Sequence, residues 1–152
     1  MRLIIIAVAS ACFFVCCKKT AKDPLQNTQF AFGVSANFCV GDCATFYSIQ
    51  NGKLYPDAIT GHYTGTLAFS ATPLTNDKYM LAKQLLDSMP AFLLTYTDTT
   101  FGCPDCSDGG AIHIWRNVNG SIKYWDIDYQ NEGNPVEIQP YVDKLKTIVG
   151  KL

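Results

Sequence analysis

Residues 29–55 (QFAFGVSANFCVGDCATFYSIQNGKLY) decide the fold, because they carry the signals of three consecutive strands. Apolar side chains alternate with small or polar ones from Phe30 to Phe38, which predicts a strand with one buried face. A second strand is predicted over residues 44–50, and the hairpin signal Asn51-Gly52 turns the chain into a third strand. The domain is therefore predicted to open as antiparallel sheet.

After this sheet the period of the apolar pattern changes. Residues 63–70 still alternate and predict a fourth strand. The apolar residues that follow are spaced as on a helix: Leu81, Leu85, Leu86 and Met89. Thr75 or Asn76 can cap this helix, and Pro90 ends it. Residues 92–97 are predicted to return as a short strand.

The last third of the chain predicts one more hairpin and a closing helix. Residues 111–117 and 121–129 alternate as strands around the turn Val118-Asn119-Gly120. The apolar stripe of the final element is unbroken: Ile138, Tyr141, Val142, Leu145, Ile148, Val149 and Leu152. We expect a short turn at Asn134 and the main helix from about Pro140, because the proline ring clashes with a preceding helical turn. The predicted fold is α+β, an antiparallel sheet of about five to six strands with two helices packed on one face.

Size and composition are those of one globular domain. The chain has 152 residues, of which 48% are hydrophobic and 16% are charged, and this balance excludes a disordered chain. The formal net charge of −1 argues against electrostatic binding to nucleic acid. We predict a single α+β domain over residues 29–152 and no nucleic-acid partner.

The N-terminal segment resembles a bacterial lipoprotein signal. Met1-Arg2 supply a positive charge, and residues 3–15 (LIIIAVASACFFV) carry none. This run is shorter than the roughly 20 residues of a transmembrane helix but fits the apolar region of a secretory signal peptide. We predict a lipoprotein signal peptide over residues 1–16 and a lipidated N-terminus and tether over residues 17–28. An ordinary signal peptide or an uncleaved anchor is the alternative.

Cys17 is the predicted site of lipidation. A lipoprotein signal has an aliphatic residue three positions before the modified cysteine and a small one directly before it. Cys17 has a phenylalanine at the first position, which departs from the pattern, and Cys16 at the second, which is tolerable. Cys16 itself follows a bulkier valine, and cleavage at Cys12 would shorten the apolar region. Lys18, rather than an aspartate, follows Cys17, and by resemblance this predicts the outer membrane.

Four cysteines remain within the predicted domain: Cys39, Cys43, Cys103 and Cys106. An exported chain meets an oxidising compartment, where an even number of cysteines usually pairs, so we predict disulfide bonds. Four cysteines allow three connectivities. Pairing within each cluster would close loops of only about four or five residues, and the chain-entropy model assigns such loops about 2 kcal/mol or less each.

Three other uses of these residues stay open. The two cysteine clusters match the pattern of a structural zinc site. The pair Cys103 and Cys106 could exchange thiols, although Asp105 and Asp108 would disfavour the thiolate there. The same two aspartates share a glycine-rich loop, but their spacing matches no calcium-loop motif.

Catalytic signals are weak. His62 and His113 are the only histidines, and we expect both to be structural, with His113 beside Trp115 on one face of its strand. Asp126 and Asp128 share a strand face, where two carboxylates could perform acid–base chemistry. A solvated outer face is the simpler interpretation of these aspartates. We predict no catalytic residue, no metal site and no cofactor.

Aromatic residues of the late hairpin are the candidate binding patch: Trp115, Tyr124, Trp125 and Tyr129. Neighbouring strands bring such side chains together, and aromatic clusters occur at binding surfaces. Packing in the core is the competing interpretation of the same rings.

Residues 39–47 (CVGDCATFY) resemble the opening of an uncharacterised family of small bacterial lipoprotein domains, in which Cys-x-Gly-x-Cys precedes an aromatic strand and a glycine hairpin. The likeness covers about residues 30–150 in the order of elements. Family members mostly carry only the first cysteine pair, which implies that Cys39 pairs with Cys43 and Cys103 with Cys106. The resemblance implies a fold and no activity.

These observations together predict a lipid-anchored module of the cell envelope. Its partners are the membrane and an unidentified protein, glycan or small molecule, and we expect a binding or accessory role rather than an enzyme. The alternative is a thiol redox or metal-binding protein that uses Cys103 and Cys106.

Overall fold

The computed structural model describes Leu25, residues 27–96 and residues 99–152. The predicted signal peptide, the predicted lipidation site Cys17 and most of the predicted tether lie outside the described residues. In chain order the elements are β1 (Phe30–Ser35), β2 (Ala44–Gln50), β3 (Lys53–Pro56), α1 (Asn76–Asp87), α2 (Ala91–Thr95), β4 (Thr99–Phe101), β5 (Ala111–Val118), β6 (Ser121–Asp128) and α3 (Gln139–Val149). A 3₁₀ turn at Cys106–Asp108 precedes β5.

The strands form one six-stranded sheet in the order β3-β2-β1-β5-β6-β4. The predicted α+β class is confirmed, but the sheet is mixed and the prediction of an antiparallel sheet is wrong. β4 runs parallel to β6, with Thr99 opposite Trp125 and Phe101 opposite Ile127. No hairpin links β4 to β6, and β5 lies between them in the chain, so turn geometry does not impose an antiparallel pairing on this edge.

Both predicted hairpins are present, and each has a two-residue turn. Asn51 and Gly52 have φ values of 49° and 70°, and Asn119 and Gly120 have φ values of 55° and 85°. Turns with two left-handed residues match the twist of antiparallel strands, and Asn-Gly adopts them at little cost. Because the second turn contains only two residues, it fixes the register of the whole β5–β6 pair.

Two predicted strands are not strands. Residues 63–70 form a loop whose only ladder contact is an isolated bridge between Asp57 and Phe69. Leu67, which is 5% exposed, packs against the sheet from this loop, so the alternating pattern reflects packing without pairing. Residues 92–95 of the predicted strand 92–97 belong instead to the short helix α2, which follows Pro90 and has Leu93 buried.

β1 is shorter than predicted, and it is buried on both faces. It ends at Ser35, after which the backbone N–H of Ala36 donates to the Cys43 carbonyl as the chain enters a loop. Phe38, predicted as its last buried side chain, is 77% exposed. Ala31 is fully buried like its neighbours Phe30 and Phe32, so a second layer must cover the other face.

Two clusters of buried side chains account for this. The larger cluster combines strand residues with residues of α1 and α3, among them Phe30, Phe32, Ile114, Trp125, Leu85 and Val142. The Tyr141 hydroxyl donates to the Leu85 carbonyl at 3.1 Å between the two helices. Both predicted helices are present, and α3 begins at Gln139 with a proline in its first turn. The smaller cluster consists of Ala31, Ala44, Phe46, Leu67 and Trp115, with partly buried residues of the 57–69 loop packed against it.

Candidate functional site

A polar network lies on the sheet face of the smaller cluster and is centred on His113. The Ser35 hydroxyl lies 2.8 Å from His113 Nε2, and Asp126 Oδ1 lies 2.5 Å from His113 Nδ1. Tyr124 donates its hydroxyl hydrogen to the same carboxylate oxygen. His113 is 6% exposed, so its imidazole has a partner on each nitrogen within a largely buried setting, Ser35 at Nε2 and Asp126 at Nδ1.

Strand register explains why these residues meet. His113 lies directly opposite Asp126 in the β5–β6 pair, and Trp115 lies directly opposite Tyr124. On the other side, Ser35 pairs with Ala111, so its side chain is a diagonal neighbour of His113 on the same face. His113 and Trp115 share this face, with ring centroids 5.8 Å apart, as the alternation predicted.

For a neutral His113 ring, the network determines which atoms carry hydrogen. Burial acts to raise the pKa of Asp126, but hydrogen bonds from His113 and Tyr124 outweigh it and the pKa is lowered. A carboxylate only accepts, so Nδ1 of a neutral His113 ring must donate to it. Nε2 then carries the lone pair and accepts the hydrogen of Ser35. Burial, followed by the hydrogen bond to Asp126, raises the pKa of Tyr124 far above its ordinary value, so the phenol stays protonated.

An open cleft of about 530 Å³ exposes this network. It is lined by Ser35, Asn37, Tyr63, Gly65, Pro104, Asp105, Ala111, His113, Trp115, Tyr124 and Asp126. Carboxylates, an amide and hydroxyls therefore share the cleft with aromatic rings. Such a mixture of a few polar groups with aromatic walls is typical of ligand-binding clefts.

The aromatic wall is a continuous set of ring contacts. The Trp115 and Tyr124 rings are stacked at 5.0 Å, and the Tyr63 ring meets the His113 ring edge-on at 4.9 Å. Phe46 lies behind Tyr63 at 4.7 Å. Because Trp115 is only 6% exposed, the half-buried Tyr63 and Tyr124 offer more ring surface to a ligand than Trp115 does.

The four residues of the predicted binding patch do not form one patch. Trp115 and Tyr124 line the cleft. Trp125 is fully buried in the larger cluster, because alternation along β6 turns it to the other face. Tyr129 follows the end of β6, is 36% exposed, and lines a separate cleft of about 270 Å³ near the Cys39–Cys43 loop.

The predicted solvated face for Asp126 and Asp128 is wrong. The Asp126 side chain is 28% exposed and belongs to the His113 network. Asp128 is 4% exposed, and its Oδ1 accepts hydrogen bonds from the backbone N–H groups of Gln130 and Glu132 at 2.8 and 3.1 Å. Each carboxylate therefore has its own structural partners, and the two do not form a shared acid–base pair.

The four domain cysteines form two disulfide bonds, Cys39–Cys43 and Cys103–Cys106, as the family resemblance implies. Their Cα atoms are 5.7 and 5.4 Å apart, within the usual range for disulfides. Both bonds close short loops next to the sheet, so they fix local conformation.

The second disulfide loop forms one rim of the cleft. Asp105, within this loop, has a left-handed φ of 61°, and its carboxylate accepts a hydrogen bond from the backbone N–H of Asn37 at 3.2 Å. The Asp105 N–H donates to the Gly110 carbonyl at 2.9 Å. The sequence left thiol exchange open for this loop, but the sulfurs of its two cysteines are bonded to each other. The loop instead places Asp105 at the cleft.

The described part of the chain has neither a group of metal-ligating side chains nor a membrane-spanning helix. Over Leu25, residues 27–96 and residues 99–152, no three His, Cys, Asp or Glu side chains are grouped so that they could hold a metal ion. No helix within these same residues is both long and apolar enough to cross a bilayer. His62 is exposed on the 57–69 loop, with its Nε2 4.0 Å from Cys43 Sγ.

Sequence reasoning identified His113, Trp115, Tyr124 and Asp126 singly, but it missed Ser35 and Tyr63 and did not connect the set. The two-residue turn at Asn119-Gly120 was a usable signal, because it places His113 opposite Asp126. No local signal sets the pairing of β1 with β5, which are distant in sequence. No protein-family model and no curated protein matches this chain.

Proposed function

We propose that this protein is a lipid-anchored component of the cell envelope whose domain binds a ligand in the cleft beside His113. The observation that carries the binding proposal is the cleft itself, with tyrosine rings and polar side chains converging on one space. The ligand class that this chemistry favours is a sugar ring. Its apolar face can stack on Tyr63 or Tyr124, while its hydroxyls reach Asp105 and the Asn37 amide.

The location rests on the sequence of the leader. The apolar run before Cys16-Cys17 and the basic residues after it support lipidation of Cys17, and Lys18 supports the outer membrane. The resemblance of residues 39–47 to small lipoprotein domains adds to this. Two disulfide bonds agree with a compartment outside the reducing cytosol.

The architecture suits this role. We infer that α1 and α3 cover the same face of the sheet, since their buried side chains belong to one cluster with Phe30 and Phe32. The opposite face of the sheet then carries the 57–69 loop and the cleft. A ligand would bind at a surface held by six strands and two disulfides, with little rearrangement on binding.

Tryptophan fluorescence tests the binding proposal. The purified protein is titrated with N-acetylglucosamine oligosaccharides and with maltooligosaccharides. A saturable change is expected for one series, because Trp115 stacks on the cleft residue Tyr124. Trp115→Phe should abolish the signal, whereas Trp125→Phe should keep it, since Trp125 lies in the larger cluster.

Two tyrosine variants separate cleft binding from general effects. Tyr63→Ala should weaken binding about 2- to 12-fold, the loss expected for one aromatic contact. Tyr96→Ala removes an exposed tyrosine that does not line the cleft and should leave affinity unchanged. Fluorescence that responds to neither sugar series, in protein with a native circular dichroism spectrum, would refute the glycan proposal.

A further inference from the structure

Ser35, His113 and Asp126 have the connectivity of a hydrolytic triad. The hydroxyl lies 2.8 Å from Nε2, and the carboxylate lies 2.5 Å from Nδ1. Such triads are recognised by geometry and roles rather than by their order in the sequence. Here the three residues come from β1, β5 and β6, which are adjacent in the sheet, and all three line the cleft.

We propose that Ser35 is a nucleophile toward carboxylic esters, with His113 as its general base and Asp126 as the positioning residue for His113. The inference goes beyond the proposed function: it uses the same cleft, but it requires neither a membrane anchor nor a sugar ligand. The substrate class is an ester of a small alcohol whose carbonyl can reach Ser35 through the open cleft.

The acylation step balances with the groups present. Ser35 Oγ attacks the carbonyl carbon, its proton passes to His113 Nε2, and the carbonyl electron pair moves onto oxygen. The intermediate then expels the alcohol, which takes the proton from Nε2 and leaves an acyl ester on Ser35. Asn37 and Tyr63 line the cleft and carry neutral N–H and O–H donors, the type of group that stabilises such an oxyanion.

Deacylation repeats the same transfers with water. Water attacks the acyl carbon while Nε2 takes one of its protons, and collapse of the second intermediate releases the carboxylic acid and returns the proton to Ser35. Asp126 keeps Nδ1 protonated throughout and stabilises the transient imidazolium. Burial around His113 strengthens this interaction, because charge pairs are screened less when water is excluded.

A polar network that only stabilises the fold would hold the same hydrogen bonds, so the test must measure reactivity. The full chain, purified in detergent, is incubated with diisopropyl fluorophosphate. Attack by Ser35 Oγ forms an O–P bond, expels fluoride and gives His113 the proton. Mass spectrometry of peptides should locate the adduct on Ser35. Ser35→Ala should remove it, and Ser121→Ala, on the exposed start of β6, should not.

The rates of labelling by diisopropyl fluorophosphate then separate the roles of His113 and Asp126. His113→Gln should slow labelling at least about 100-fold, the size of a general-base contribution. Asp126→Asn should lower the maximal labelling rate while leaving the half-saturating probe concentration unchanged, because its role is to orient His113. The wild-type protein should also hydrolyse p-nitrophenyl acetate.

The outcomes are decisive even if a variant fails to fold. The comparison of Ser35 with Ser121 can be made within the wild-type protein. Labelling of Ser35 in clear preference to Ser121 supports an activated nucleophile at Ser35. The proposal is overturned if folded wild-type protein carries no adduct on Ser35. It is also overturned if folded His113→Gln labels at the wild-type rate. Sugar binding without labelling would leave the proposed function standing and remove only this inference.

Discussion

Gly33 lies directly opposite His113 across the β1–β5 pair, and no side chain fits at this position. A Cβ atom on Gly33 would stand 2.3 Å from Phe46 Cδ1 and 2.3 Å from the Thr45 carbonyl oxygen. The space is taken by the Phe46 ring, whose centroid lies 5.6 Å from that of His113. One missing side chain therefore lets the smaller cluster and the His113 network occupy the same face.

Replacing this glycine should damage the domain. Gly33→Ala forces Phe46 or the backbone of β2 to move, and overpacking of this kind costs about 1–3 kcal/mol. The free energy of unfolding from urea titration measures the loss. Gly150→Ala is the matched control, because a Cβ there meets only the carbonyl oxygens of Lys146 and Thr147, at 3.5 and 3.9 Å, in ordinary van der Waals contact. Equal stability of the two variants would contradict the packing described here.

Asp126 should make stability depend on pH under acidic conditions. Its pKa is lowered in the folded state, so the unfolded chain binds the proton more readily. The contribution is fully present above the unfolded pKa of about 3.9 and is lost as pH falls through the folded value.

Urea midpoints of wild type and Asp126→Asn, measured between pH 5 and pH 2, test this. The stability difference between the two proteins should be largest at pH 5 and should shrink as the pH falls. Asp87→Asn changes an exposed carboxylate paired with Lys83 and serves as the control. A difference for Asp126→Asn that does not vary over this range would contradict an Asp126 carboxylate kept ionised by its hydrogen bonds from His113 and Tyr124.

Asp57 should hold the 57–69 loop on the sheet. Its carboxylate accepts hydrogen bonds from the backbone N–H of Phe46 and, at 3.2 Å, from that of Ile59. Asp57→Ala leaves both donors without this partner, which should cost about 1–3 kcal/mol. Hydrogen exchange at the Phe46 amide should accelerate. Asp87→Ala removes only an exposed ion pair and should cost about 0.5 kcal/mol or less.

Local patterns predicted much of this fold, and their failures have physical reasons. The Asn51-Gly52 and Asn119-Gly120 turns were recognisable because two left-handed residues in a row favour asparagine and glycine. Residues 63–70 were misjudged because alternation records which side chains are buried and not whether the backbone is paired. β4 was missed because its three residues join the sheet only through a parallel partner at the edge.

The site was harder to predict than the fold, because it depends on register between distant strands. His113 and Asp126 can be aligned through their shared hairpin, but Ser35 reaches them only through the pairing of β1 with β5. Tyr63 comes from a loop that folds over the sheet, and the alternating pattern of residues 63–70 gives no register that would place Tyr63 beside His113. Sequence patterns therefore identify the site residues on β5 and β6, but they do not identify Ser35 and Tyr63, which come from other parts of the chain.

The most direct test of the lipid-anchored account is intact mass spectrometry of the mature protein, purified from membranes without reducing agent. We expect a chain that begins at Cys17, carries the mass of a diacylglycerol and contains two disulfides among the other four cysteines. Cys17→Ala should prevent lipidation, whereas Cys12→Ala should not. A soluble chain that begins beyond residue 17 would contradict the anchor, and free thiols or bound zinc at Cys103 and Cys106 would favour the redox or metal alternative.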